Sequence, residues 1–345
     1  MSPDLAPFWS SPDHSLRGLG ELLSFDPGTG ADRYTKTGDW LASVDRGVGF
    51  ASFTFDPDQR GSLVLAPEEV AEGQVAWSSA DEGRLLARLV ADGRAEWEHG
   101  FSIAMSSISA GELEKVVLAR HVEVELSEPF DPHLILERLV RANPSTYVFL
   151  NDGLVGASPE LLVSLEGDRV RSRVLAGTAT EVDHLDAARI EMEHDLAARS
   201  AAAGLGGHSI DLIGERSVIQ VGPILHVATD FTAIALPGTK VLDLLSSIHP
   251  TAAVAGTPTP AALALIRAME PRGRGRYAGP VGWFDTKGDG EFAIALRCGL
   301  FDQNRGTIYA GGGLVHGSDR QSEWAETDLK LGPMLRALGV EGGHG

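Results

Sequence analysis

Four apolar runs follow one another almost end to end in the middle of the chain: Tyr147-Val-Phe-Leu150, Gly153-Leu-Val-Gly-Ala157, Leu161-Leu-Val-Ser-Leu165 and Val170-Arg-Ser-Arg-Val-Leu175. They are joined by Asn151-Asp-Gly153 and Glu166-Gly-Asp168. Such connections are far too short for the crossover that a parallel strand pair needs, so they predict antiparallel hairpins. Period-two alternation extends the pattern to Lys115–Leu126, Val48–Phe55 and Ser62–Leu65, and strands are expected around 218–234, 291–301 and 306–311.

Helical spacing of apolar residues intervenes. Leu85, Leu89, Trp97, Phe101 and Met105 predict a helix from Asp81 to about Ser106. Further helices are expected around 184–204, 240–247, 259–269 and 320–338. Strands followed by helices, twice over, imply an α+β fold with two large sheets packed together. The first 110 or so residues look irregular, with turns at Asp26-Pro-Gly-Thr-Gly30 and Asp56-Pro-Asp58, and no repeat or long linker divides the 345 residues. A single compact unit is expected over 1–345.

Charge narrows the function. With 48 acidic residues against 29 Lys plus Arg, the chain carries −19, which argues against nucleic acid as a partner because phosphate binding draws on clustered Lys and Arg. An anionic substrate would need a local group of cations or a metal. The single Cys298 cannot form an internal disulfide, and its place among Phe292, Ile294, Leu296 and Leu300 predicts a buried, inert thiol. No signal peptide and no membrane-spanning stretch is evident, so a soluble cytoplasmic protein without a membrane partner is expected. Gly273-Arg-Gly275-Arg-Tyr-Ala278 formally fits a dinucleotide fingerprint, but no strand precedes it and Pro280 interrupts the required helix.

Ionisable residues at positions that the pattern assigns to apolar or small side chains are the candidates for chemistry. Lys115 shares a strand face with Val117 and Ala119; it is either a strand-end lysine with its head in water or an amine projecting into a partly enclosed space. Glu160 begins the run Leu161-Leu-Val163, where desolvation would raise its pKa and suit a general acid, a solvated strand end being the alternative. Glu193 lies three residues from both Ile190 and Leu196, beside the apolar stripe of its helix. Glu323, Glu326 and Lys330 share one face of the last helix; Glu326 with Lys330 is either an exposed i,i+4 pair or, with Glu193, part of the oxygen donor set that Mg²⁺ prefers. Arg297, flanked on its face by Ala293, Ala295 and Gly299, either covers a thin sheet face or captures a carboxylate. Gly311-Gly-Gly313 is a flexible turn or a place where main-chain N–H groups approach an anion.

Taken together, these segments resemble the chorismate-utilising enzymes, and within them the isochorismate synthases. The resemblance is carried, in order, by Glu114-Lys-Val-Val-Leu-Ala-Arg120, Gly156-Ala-Ser-Pro-Glu-Leu-Leu162, Leu175-Ala-Gly-Thr178, Glu193-His194, Ile224-Leu-His-Val-Ala-Thr229 and Ile248-His-Pro-Thr251. It continues through Tyr277-Ala-Gly-Pro-Val-Gly-Trp283, Ile294-Ala-Leu-Arg-Cys298, Ala310-Gly-Gly-Gly-Leu-Val315 and Glu323-Trp-Ala-Glu-Thr327 with Lys330, covering roughly 100–338, with 1–100 as a variable part.

The resemblance implies two large antiparallel sheets packed face to face with helices outside. It implies chorismate as the small-molecule substrate, water adding at C2 as the C4 hydroxyl leaves, and a monomer or weak homodimer. Lys115 matches the water-activating base and Glu160 the acid. Glu193 and Glu326 match Mg²⁺ ligands. Gly177, Thr178, His226, Ala253, Arg297, Gly311 and Lys330 match positions lining the substrate pocket. Ala176 stands where relatives that form a covalent intermediate carry lysine, and Lys115 where ammonia-using relatives carry glutamine, which favours water as nucleophile.

Menaquinone or siderophore synthesis is the implied pathway. A salicylate synthase, which goes on to eliminate pyruvate, and a non-catalytic chorismate-binding homologue are the alternatives. The stretch between Thr178 and Glu193 is shorter than in most of the family, and Thr251-Ala252 replaces Thr-Pro.

Overall fold

The structure, a computed structural model, describes residues 6–73, 87–179 and 188–340. The chain opens with β1 (Phe8–Ser10), β2 (Ser15–Phe25), α1 (Arg33–Ser43), β3 (Val48–Ser52), β4 (Leu63–Glu72), β5 (Ala87–Ala91) and α2 (Arg94–Ser109). Its middle holds β6 (Lys115–Leu126), α3 (Pro132–Ala142), β7 (Tyr147–Asn151), β8 (Leu154–Ser158), β9 (Leu161–Glu166), β10 (Arg169–Ala179) and α4 (Ala188–Gly206). Then come β11 (Ser209–Val221), β12 (Ile224–Ala235), α5 (Val241–Ile248), β13 (Gly256–Thr257), α6 (Thr259–Met269), β14 (Pro280–Asp285), β15 (Gly290–Ile294), β16 (Cys298–Asp302), β17 (Arg305–Val315) and α7 (Arg320–Ala337).

Every strand pairing is antiparallel, as the short connections require. The β7–β8 hairpin turns on Asp152 and Gly153, both at positive φ, the combination that matches strand twist in a two-residue loop. The pairings form one unbroken path, β11-β12-β10-β9-β15-β14-β3-β4-β2-β1-β7-β8-β16-β17-β6-β5, with β13 also on β6. The two sheets read from the sequence are therefore the two halves of one antiparallel system. Phe50 and Phe292 from one half share a buried core with Phe149 and Leu154 from the other. Ser52 Oγ on β3 also donates to Asn151 Oδ1 on β7 at 2.8 Å.

Helices cover the outside of both halves. α3 and α7 set Ile135, Leu136, Leu139, Leu331 and Met334 onto Val122, Val124, Val155 and Ile308 of β6, β8 and β17. Ala197, Ala201 and Leu205 of α4 and Leu244 and Leu245 of α5 join Val170, Val174 and Ala233 of β10 and β12. Local chemistry starts the helices: the Asp131 carboxylate accepts from the N–H groups of His133 and Leu134, ahead of Pro132, and Asp319 does the same for Gln321 and Ser322.

Three expectations need correction. Leu89 lies in β5, not in a helix, because β5 is held by its pairing with β6; Leu85 and the start of that expected helix lie outside the described residues, and α2 begins at Arg94. The expected strand 291–301 is two strands, β15 and β16, which bond to β9 and to β8 in different halves of the sheet path. Gly311–Gly313 is no turn: it continues β17, opposite Ala119, Leu118 and Val117. α1 and α3 were not anticipated. The expected helix at 184–204 is α4, its first expected residues falling outside the described ones.

Phe292 is fully buried on β15 and packs against the rings of Phe53 and Phe284. Phe292→Ala is expected to lower the unfolding free energy by about 3–5 kcal/mol, read from the shift in urea midpoint at unchanged slope.

Candidate active site

Segments far apart in sequence enclose one cleft of about 660 Å³. Val117 of β6, Glu160, Ala176 to Thr178 of β10, Glu193 of α4, His226 of β12, Ala253, Arg297, Gly311 and Gly313 of β17, and Lys330 of α7 all line it. Every residue matched to the substrate pocket is therefore brought to this one place. Lys115 and Glu326 lie directly behind that lining, each against a lining side chain.

The Lys115 amine is completely buried and lies 3.2 Å from Glu193 Oε1, without the alignment of a hydrogen bond. The solvated strand-end reading is thereby set aside. Glu160 is 2 % exposed; burial pushes its carboxyl up to about 8, against the opposing pull of the Leu175 N–H, which bonds to the carboxylate, and of Lys115 and Lys330. It is thus largely protonated at neutral pH.

Arg297 occupies the junction between β15 and β16 at φ 49, not a strand face. Burial pulls its guanidinium down to about 10, still charged, and Nη1 is buried without a hydrogen-bond partner. Its Nη2 faces His226 Nε2 at 3.4 Å. Because guanidinium can only donate, Nε2 accepts, and His226 Nδ1–H is left to donate to Thr178 Oγ1 at 3.4 Å. Burial, then Arg297 and Lys330, hold the imidazole well below its ordinary pKa, so it is neutral. Lys330 is no exposed partner: its amine donates to the Gly311 carbonyl at 2.9 Å and to Glu326. Arg297 and Lys330 are the local positive field that an acidic chain needs for an anionic ligand.

Some of the supporting residues were not anticipated. His194 donates from Nδ1 to the Ala176 carbonyl at 3.2 Å and accepts at Nε2 from Thr229 Oγ1 at 2.7 Å, pinning the bulge of β10 on which Gly177 sits at φ 78. A side chain at Gly177 would run into Ile190. Tyr277 and Tyr309, stacked at 5.0 Å, complete one wall. Glu323 was read only as part of a helix face, yet it is 2 % exposed, and Arg189 Nη1 donates to its Oε1 at 3.0 Å.

Glu323 also tests the site for a metal. Its Oε2 is buried with no partner, and its carboxyl is pushed up to about 8 by burial and by the nearby Glu326 and Glu193 carboxylates. A side chain on Gly312 would meet Glu323 and Glu326, and one on Gly313 would meet Glu193 and Lys115. Three carboxylates therefore crowd against a glycine strand that leaves them room. Among the described residues no three ligands are gathered into a ready cluster, since Glu193 and Glu326 each face a lysine. An all-oxygen donor set with an orphaned oxygen suits a hard divalent cation.

The fold and this pocket define a chain of the chorismate-binding enzymes: that family's profile matches residues 68–339, and the protein belongs to it. A putative isochorismate synthase MenF of Mycobacterium tuberculosis is 37 % identical over 258 residues, covering 67 % of this chain and 69 % of that one. Isochorismate synthase EntC of Escherichia coli is 31 % identical over 318 residues, 85 % and 81 % of the two chains. A crystal structure described as a putative 2,3-dihydroxybenzoate-specific isochorismate synthase, DhbC from Bacillus anthracis, superposes with a TM-score of 0.88 at 28 % identity, over 98 % and 97 % of the chains.

Because Glu160 sits at about 8 against an ordinary 4.5, the folded state holds a proton there that the unfolded chain has released. Stability from this group is complete below the lower value and is lost as pH rises towards the upper, by at most about 1.4 kcal/mol per pH unit. Urea titrations of wild type and Glu160→Gln across that window should show the variant with the shallower decline.

Proposed function

We propose that the protein is a Mg²⁺-dependent isochorismate synthase. Water adds at C2 of chorismate, the ring double bonds shift, and the C4 hydroxyl departs. The observation that carries this reading is a buried amine, Lys115, and a buried carboxyl that keeps its proton near neutrality, Glu160, at one cleft with two cations for an anionic ring. Lys115 takes a proton from the attacking water; Glu160 gives one to the leaving hydroxyl, which departs as water, so protons balance.

Arg297 and Lys330 hold carboxylate, and His226, Thr178, Gly177, Ala253 and Gly311 shape the cavity around the ring. Glu193 and Glu326, with Glu323 beside them, would hold Mg²⁺, which when bound supplies charge neutralisation at the ring carboxylate. The names of the similar proteins, isochorismate synthases, support water as nucleophile, and menaquinone or catechol siderophore synthesis is the proposed use of the product.

Purified protein incubated with chorismate and Mg²⁺ is expected to yield isochorismate by chromatography without added ammonia. Salicylate with pyruvate would instead mark a salicylate synthase, and calorimetric binding of chorismate without product a non-catalytic homologue. Lys115→Ala should lower kcat by about 10²–10⁴-fold while chorismate still binds. Wild-type kcat should fall above about pH 8 as Glu160 loses its proton. Chelation by EDTA should abolish turnover and added Mg²⁺ restore it; full activity in EDTA would remove the metal from the proposal.

A further inference from the structure

The strand that carries Lys115 is not held by strands along its whole outer edge. β13 pairs only with Lys115 and Val116, and β5 only with Glu123 to Leu126. Between them Val117 and Ala119 turn peptide groups away from β17, and in a buried position these need partners. Val117 N–H finds the Ala255 carbonyl at 2.8 Å. Two more are met by side chains. Arg274 Nη2 donates to the Val117 carbonyl at 2.8 Å, and the Ala119 N–H donates to Glu270 Oε1 at 3.0 Å.

Glu270 and Arg274 are themselves a buried pair. Nε of Arg274 donates to Glu270 Oε2 at 2.7 Å and Nη2 to Oε1 at 2.8 Å, with the side chains 5 % and 1 % exposed. The remaining guanidinium nitrogen, Nη1, donates to the Val254 carbonyl at 2.7 Å, and the main-chain carbonyl of Arg274 accepts from the Tyr277 N–H at 3.0 Å. The Phe55 ring closes one face of the guanidinium at 4.3 Å. Val117, Val254 and Tyr277 all line the cleft, on three separate segments. None of the atoms of the pair lines it.

We propose that Glu270 and Arg274 are positioning residues: a bidentate ion pair that stands in for a missing strand and sets the Val117 and Val254 walls of the active-site cleft, and with them Lys115, in mutual register. A fully buried charge pair is an expensive way to hold a fold, since apolar side chains of the same volume often serve as well or better. What the pair supplies that apolar packing does not is direction. Three side-chain atoms, Nη1 and Nη2 of Arg274 and Oε1 of Glu270, fix peptide groups on β6 and at Val254 at once. Misplacement of a reacting group by an ångström costs on the order of a hundredfold in rate, so a loosened register is expected to appear in turnover before it appears in folding.

The inference rests on the proposed activity for its rate measurement, and its test has a second arm that does not. Arg274→Lys keeps the charge and loses the fork; Glu270→Gln keeps an oxygen for the Ala119 N–H and loses the charge. Both are expected to give folded protein by near-ultraviolet circular dichroism, with kcat for chorismate lowered about tenfold or more and KM within about threefold. Arg274→Met should lose more than Arg274→Lys.

Independently of turnover, amide hydrogen exchange in the segment 117–119 should speed up about tenfold or more relative to the rest of β6. If wild type makes no isochorismate, the functional reading fails while the exchange measurement still judges the pair. Unchanged kcat in the folded fraction with a lowered melting temperature, unchanged exchange at 117–119, or failure of both conservative variants to fold would each overturn the proposal and leave the pair a fold element only.

Discussion

A polar group with no access to water is costly to bury unless another polar group lies close to it, and the fully buried Lys115 amine has the Glu193 carboxyl 3.2 Å away. Much of the site follows from this pairing. It requires α4, which carries Glu193, to lie against β17, which it can do because Gly313 has no side chain to occupy the space. The same bare strand admits Glu323 and Glu326 from α7, so acidic groups accumulate there, while Arg297 and Lys330 supply the positive side of the cleft. An acidic protein can in this way present a locally cationic pocket for an anionic ring.

Backbone geometry outside the regular elements does comparable work. Arg297 reaches the cleft because the chain crosses from one half of the sheet path to the other between Ile294 and Cys298, and the crossing takes an arginine through the left-handed region, a conformation costing about 1–3 kcal/mol for such a residue. Period-two reading ran straight through the crossing because the apolar alternation of Phe292, Ile294 and Cys298 persists on both sides of it. The bulge at Gly177 is similar: His194 and Thr229 hold it from behind, and nothing in the local pattern of β10 announces either contact.

Residues whose roles depend on nearby sequence were the legible ones. Lys115 and Glu160 stood out because each opens an apolar run, and an ionisable side chain there is either at a solvated end or buried for a purpose. Glu323 did not stand out. Three residues from Glu326 and preceded by the polar run Arg320-Gln-Ser322, it looks like one more charge on a wet helix face, and its burial comes from Arg189, Gly312 and the β17 strand, all distant in sequence. The helical period misled at Leu89 for a related reason: strand pairing of β5 with β6 outweighed it there.

The sequence by itself determined the antiparallel character of the sheet, the main hairpins and the residues able to do acid–base chemistry, because turns, caps and alternation act over a few residues and need no partner. The tertiary structure alone decided that two apparent sheets are one path and that the strand of Arg297 breaks where it does. It also decided which carboxyls share a buried space, so that Glu160 and Glu323 keep their protons. Those outcomes depend on desolvation and on distances between groups tens to hundreds of residues apart, quantities that exist only once the chain has closed on itself.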